Sequence, residues 1–356
     1  MVSVPRRFDS VDALRGLTVA AMLLVNNPGD WSHVYAPLLH AHWHGCTPTD
    51  LIFPFFLFVV GVSIALGIVP RAKAGGGLRP LRGRIVWRAL KILLLGLALH
   101  AVAMWCLDKP YFRPWGVLQR IGLCFLVVGL LASWWRPSHL GVLAVGILLA
   151  DAALMAASGY APLTNLASRV DTALLGPLAY EFDVATGLGH DPEGLLSTLP
   201  ALSTTLFGVL AGDGLRRGRS AWLPVWGAVF LLLGWGWSHW VPLNKNLWTP
   251  SFVLWTAGWA LLVLWTLHQL IDRLGLPPVG KAFGINAITV YAGSALMVYV
   301  LAGLGWWEPL YRVGLADWMT PRWGPRVPSL AFALAFVGLW WIVAKGMQKA
   351  GVIVKV

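Results

Sequence analysis

Residues 51–69 read LIFPFFLFVVGVSIALGIV, nineteen positions without a single charge. The hydrocarbon core of a bilayer is about 30 Å thick, and a helix crosses it with about 20 mostly apolar residues. This stretch is therefore read as a membrane-spanning helix, and that reading decides the fold class. Pro54 stands early in the run and predicts a kink or a broken first turn. Working outward, nine further apolar runs follow the same rule, at residues 14–25, 87–106, 117–134, 140–157, 196–211, 221–240, 251–270, 282–304 and 329–345. Together they predict an all-α, polytopic membrane helix bundle of about ten transmembrane helices.

Composition agrees. Of 356 residues, 58% are hydrophobic and 12% charged, with mean hydropathy +0.69; a soluble domain carries about 25% charged residues. A soluble enzyme, a disordered chain and a disulfide scaffold are excluded. The 22 Trp and 39 Gly suit interfacial aromatic belts and close helix contacts. The first run reads as a retained span, because no small-residue cleavage site follows it. No internal repeat stands out, and the only low-complexity tract is residues 75–77.

Net charge is +12. In a soluble protein that would suggest nucleic acid; in a membrane protein it first reports orientation. Assigning connections to alternate faces puts 19 of the 27 Lys and Arg on one face, among them Arg6, Arg7, the 71–91 group, Arg216, Arg217, Arg219 and Lys355. Only 4 of the 15 acids join them, so that face carries +15 and the other −3. By the positive-inside rule both termini are expected in the cytoplasm. The surplus is then a topology signal, and no nucleic-acid partner is expected.

Polar residues beside apolar runs are costly and mark function by default. They gather in Asn26–Trp31, in His40–Pro54, in Arg113–Arg120, in His190–Leu195 and in Pro242–Pro250, all on the outer face, with Gly284-Ile285-Asn286 opening a helix from the inside. His33, His40, His42 and His44 leave three readings open: a metal site, a general base, or solvated loop histidines. Asp50 is placed to orient an imidazole. Arg120 needs an anion, whether a carboxylate such as Asp50 or Asp191 or a ligand phosphate. Lys245, between Asn244 and Asn246, has the same choice. Cys46 and Cys106 share the outer face and permit a disulfide, against a reading as plain apolar cysteines. There is no nucleophile elbow, Walker A or dinucleotide fingerprint. The outer connection at 158–195 is long enough to hold short elements of its own.

These segments carry a resemblance. Asp12-Ala13-Leu14-Arg15-Gly16-Leu17, Val25-Asn26, His40-Ala41-x-Trp43-x-Gly45-x-Thr47-x-x-Asp50-Leu51-x-Phe53-Pro54, Gly116-Val117-Leu118-Gln119-Arg120, Asp191-Pro192-Glu193-Gly194-Leu195, Asn244-Lys245-Asn246-Leu247-Trp248 and Gly284-Ile285-Asn286 occur in order from residue 8 to about 295. In combination they resemble the heparan-α-glucosaminide N-acetyltransferase family. Lysosomal members carry a luminal domain and an extra leading helix; by resemblance this chain is the bare core, a single transmembrane acyltransferase domain over residues 1–356. Bacterial members sit in the inner membrane.

The resemblance implies transfer of acetyl from acetyl-CoA to the amine of a glucosamine-type sugar. It places the catalytic histidine on His40, as general base or as transient acetyl carrier. It leaves His42 and His44 outside the motif and disfavours a metal. Asp50 would hold the imidazole tautomer, and Asn26, Asn246 and Asn286 are candidates to steady the oxyanion. Asp191, Glu193 and Trp43 are the expected amino-sugar contacts. Gln119, Arg120, Asn244, Lys245, Asn246 and Trp248 are expected to hold acetyl-CoA, with Arg15 and Asn286 near its nucleotide on the inner side. Related enzymes are dimers, so a homodimer is implied. Two other readings are acylation of another envelope glycan and a sugar transporter, although transporters typically show internal repeats.

Overall fold

The structure, a computed structural model, describes residues 8–73 and 78–354. Arg6, Arg7, Lys355 and the glycines at 75–77 lie outside the described residues. All ten apolar runs are helical. In chain order the helices are α1 (Asp9–Asn26), α2 (Ile52–Lys73), α3 (Leu78–Cys106), α4 (Val117–Trp134) and α5 (Pro137–Ala156). After the short α6 (Leu166–Leu175) come α7 (Thr198–Arg216), α8 (Trp222–Trp237) and α9 (Pro250–Leu267). The chain ends with α10 (Lys281–Ile285), α11 (Ala287–Gly303), α12 (Trp307–Tyr311), α13 (Asp317–Trp323) and α14 (Arg326–Lys349).

Six helices among the described residues are long and apolar enough to cross a membrane, or seven if α11 and the segment Trp307–Trp323, bent by 102°, form one broken span. The protein is an integral membrane protein. The other runs differ for physical reasons. Helix α1 opens with Asp9, Asp12 and Arg15. The apolar face of α7 is diluted by Ser203, Thr204 and Thr205, and α8 has only 16 residues.

Helices α2 and α7 form the centre. They touch backbone to backbone: a Cβ on Gly61 would lie 2.0 Å from the Thr205 carbonyl oxygen, and one on Gly208 2.0 Å from that of Phe58. With Gly212 this is the small-xxx-small packing by which membrane helices approach closely. Leu57, Phe58, Val62, Leu206, Phe252 and Leu264 fill the core around the contact. Pro54 neither kinks nor breaks α2, which runs unbroken from Ile52 to Lys73. The chain enters α2 through a 3₁₀ turn, Pro48–Leu51, so the missing proline N–H falls in the first helical turn.

The long outer connection has structure of its own. Besides α6 it holds a hairpin of β1 (Glu181–Asp183) and β2 (Leu188–His190), antiparallel with Phe182 opposite Gly189. This small sheet is an addition to the all-α expectation. Its three-residue strands are too short to show an alternating pattern in sequence.

Candidate active site

The loop before α2 is built around Asp50. Its carboxylate is 1% exposed and accepts the backbone N–H groups of Ala41 (3.0 Å) and Thr47 (2.9 Å) on Oδ2. Thr47 and Asp50 close a capping box at the start of the 3₁₀ turn. The other oxygen, Oδ1, lies 2.7 Å from His40 Nδ1. A carboxylate can only accept, so Nδ1 carries a proton, and in the neutral imidazole Nε2 presents its lone pair. The His40 side chain is 48% exposed. A buried carboxylate thus lies against an accessible imidazole. Lys245 Nζ stands 3.2 Å from Nε2 and 3.2 Å from Nδ1.

The other histidines disperse. His33 turns to Asp30 (2.6 Å), and His44 Nδ1 lies 3.4 Å from the Asn244 side-chain nitrogen. Among the described residues no group of three His, Cys, Asp or Glu is placed to hold a metal. All three cysteines are free, and burial pushes the Cys46 thiol up to about 12.

Lys245 is delivered by a second loop, which Gly45 N–H joins through the Leu243 carbonyl (2.7 Å). Asn244 is fully buried and shapes this loop. Its Oδ1 accepts Leu247 N–H (2.8 Å), and its own N–H donates to Thr249 Oγ1 (3.1 Å). Trp248 is also fully buried, at φ +55°, and donates from Nε1 to Thr204 Oγ1 (3.0 Å). Both residues lie in the loop's interior and support Lys245. Asn246 is half-buried on the same turn. Burial draws the Lys245 pKa down, against the opposing pull of Glu193 and Asp50.

Asp191 and Glu193 lie close together, and both are engaged by Arg113. Its Nε and Nη2 grip Asp191 at 3.0 and 2.6 Å, and Nη2 also reaches Glu193 Oε2 at 2.6 Å. The guanidinium lies over the Tyr180 ring, 4.5 Å from its centroid. Burial pushes Glu193 up, but the charges of Arg113, Arg120 and Lys245 and the Arg113 hydrogen bond together outweigh it and leave the carboxyl below its usual range. Burial holds Asp191 above its usual range. Beneath them Asp171 accepts the N–H groups of Asp191 and Leu195, with burial pushing it up to about 6. His190, 1% exposed, is held down to about 4 by burial. Trp43 meets His190 edge-on at 5.2 Å and donates to the Tyr160 carbonyl (2.8 Å), so it ties the His40 loop to the outer connection.

Arg120 is fully buried between Trp248 and Phe53, at 5.0 and 5.8 Å from their ring centroids. Of the carboxylates expected to face it, Asp50 is held by His40 and Asp191 by Arg113. Its Nη2 donates instead to Ser197 Oγ (2.5 Å) and the Gly194 carbonyl (3.2 Å), while Nε and Nη1 have no hydrogen-bond partner. Both side-chain amide atoms of the neighbouring Gln119, 2% exposed, also lack one.

Three expected residues lie elsewhere. Asn26 is exposed and lines a separate cavity of about 680 Å³ with Asp30, Trp31, His33 and Trp307. Arg15 lies in the opposite half of α1, bonded to Asp12, Ser63 and the Gly284 carbonyl. Asn286 clamps the C-terminal segment, donating to the Val352 carbonyl (3.1 Å) and accepting Val354 N–H (3.3 Å). The roles of Arg113, Asp171 and His190 are not legible in the sequence. Arg113 and His190 belong to recognised polar stretches, but the Arg113–Asp191 pairing spans 78 residues of chain.

Comparison with known proteins accords with this arrangement. The curated proteins from Mus musculus and Homo sapiens named heparan-alpha-glucosaminide N-acetyltransferase are each 28% identical to this chain, over 360 and 362 residues. The alignments cover 83% and 82% of this chain, and 54% and 53% of those proteins. The chain therefore spans about half the length of the curated relatives it matches. The family signature described as heparan-alpha-glucosaminide N-acetyltransferase, catalytic, matches residues 7–226, which hold His40, Asp50, Arg113, Arg120 and Glu193. On that match, more than half its length, the chain belongs to the heparan-alpha-glucosaminide N-acetyltransferase catalytic family.

Proposed function

We propose that this protein is a transmembrane N-acetyltransferase that moves acetyl from acetyl-CoA to the amine of a glucosamine-type sugar. The observation that carries the reading is the accessible His40 imidazole on the buried Asp50 carboxylate. In this reading the acceptor nitrogen attacks the thioester carbonyl as His40 Nε2 takes its proton. The C–S bond then breaks, the proton passes to the departing sulfur, and N-acetylated sugar and CoA leave. A general base so placed contributes about 10²–10⁴ to the rate. The same Nε2 would carry the acetyl group in the alternative covalent path.

Lys245, 3.2 Å from the ring, is assigned to the thioester oxyanion or a CoA phosphate. The unpartnered edge of Arg120 suits an anionic or carbonyl group of the same co-substrate. Asn246, Asn244, Trp248 and Gln119 are assigned to shaping that pocket. Arg113 takes both Asp191 oxygens and Glu193 Oε2, so the contact with an amino sugar is assigned to Glu193 Oε1, with Asp191 holding Arg113 beside it. Residues 1–356 are read as one domain crossing the membrane ten times, with both termini on the basic, cytoplasmic face; in a bacterium this is the inner membrane. A homodimer is the proposed assembly.

Purified protein with acetyl-CoA and a sugar panel tests the substrate class. Glucosamine is expected to be acetylated, with CoA release in equal amount, while glucose and N-acetylglucosamine are not. Acetylation of hydroxyl-only sugars would favour another envelope glycan as acceptor. Solute flux without acyl turnover would favour a transporter.

A further inference from the structure

A cavity of about 1000 Å³ lies far from His40. It is bounded by the C-terminal ends of α2, α4 and α7 and the N-terminal ends of α5 and α8. The His40 site sits beside the opposite ends of α2, α4 and α7. The cavity is therefore at the other face of the bundle, the basic one.

Its lining changes character with depth. At the rim stand Lys73, Arg136, Arg217 and Arg219, with Asp213 the sole acid. Asp213 is already shared by Arg216 (2.5 Å) and Arg217 (2.6 Å). Among the described residues Lys73, Arg136 and Arg219 make no salt bridge. Deeper in, the wall is apolar: Leu140, Val145, Phe207, Leu210 and Phe230. From Arg136 to Val145, and from Arg217 back to Phe207, the helices rise roughly 14 Å. That is about half of a 30 Å hydrocarbon core, the depth of one leaflet.

We propose that this cavity binds an anionic phospholipid, with its headgroup phosphate on Arg136, Arg219 and Lys73 and an acyl chain along the apolar wall. Guanidinium groups match phosphate in charge and in their fork of donors. Basic pockets between membrane helices recognise acidic headgroups in this way. A second copy of the chain is the poorer occupant. In a two-fold contact the same basic rim would face itself.

The test uses the purified full-length protein in a neutral detergent, with thermal unfolding and native mass spectrometry as readouts. Phosphatidylglycerol is expected to raise the unfolding midpoint and to remain bound at least tenfold more tightly than phosphatidylcholine. At roughly fivefold per cation, the double variant Arg136→Gln/Arg219→Gln is expected to lose about 25-fold in phosphatidylglycerol affinity and much less in phosphatidylcholine affinity, because the choline cation already offsets that lipid's phosphate charge. Val145→Trp, which fills the apolar wall, is expected to weaken phosphatidylglycerol binding while the rim cations remain. Equal binding of the two lipids would overturn the proposal. So would full displacement by inorganic phosphate at equal concentration, an unchanged double variant, or self-association that excludes lipid from the cavity.

Discussion

Replacing Asp50 by Asn is expected to lower the acetyl-transfer rate by about 10²–10⁴ at neutral pH while leaving the loop folded. The asparagine oxygen can still accept the Ala41 and Thr47 N–H groups, which hold Oδ2 at 3.0 and 2.9 Å. Its NH₂ would then face His40 Nδ1, where Oδ1 now stands 2.7 Å away. A ring nitrogen opposite a donor must offer a lone pair, so the proton moves to Nε2. The nitrogen that should accept the amine proton would then carry one. The rate with both substrates saturating, and the unfolding midpoint, separate this effect from damage to the fold. A rate within a few-fold of wild type would show that the tautomer does not matter.

The second large effect is on stability. Arg113→Met removes the cation that grips Asp191 and Glu193 while leaving both carboxyl groups buried. Breaking a buried pair in this way costs about 3–5 kcal/mol, because an uncompensated charge remains. The deficit should depend on pH. In the wild type Arg113 depresses the Glu193 pKa. That contribution is present above the ordinary carboxylate range and is lost as the pH falls through the lowered value. In the variant that pull is gone, and burial is opposed at Glu193 only by Arg120 and Lys245, so both carboxyls bind protons more readily than in the folded wild type. Acidification from pH 7 to 5 then stabilises the variant relative to wild type. Unfolding midpoints at the two pH values should draw together; a gap that stays constant would remove the acid pair as its cause.

The membrane bundle is visible in the sequence because its cause is local. An uncharged stretch such as 51–69 must satisfy its backbone internally wherever lipid surrounds it, and a helix does this within the segment. The His40–Asp50 pair is nearly as local, ten residues apart in one loop. What the sequence withholds is pairing at a distance. Nothing near Arg113 announces that it, and not Arg120, takes Asp191. Nor can a motif tell a residue that meets a ligand from one that builds the loop beneath it. Asn244 and Trp248 share a motif with Lys245, yet both are enclosed in the fold. Asn286 is occupied by the backbone of residues 352 and 354.

The account rests on His40 taking the amine proton, and the most direct measurement is the acetyl-transfer rate of His40→Ala in the same membrane mimetic as wild type, with and without added imidazole. A loss of about 10²–10⁴, partly restored by imidazole, is the predicted result. A variant that transfers acetyl at the wild-type rate would contradict it.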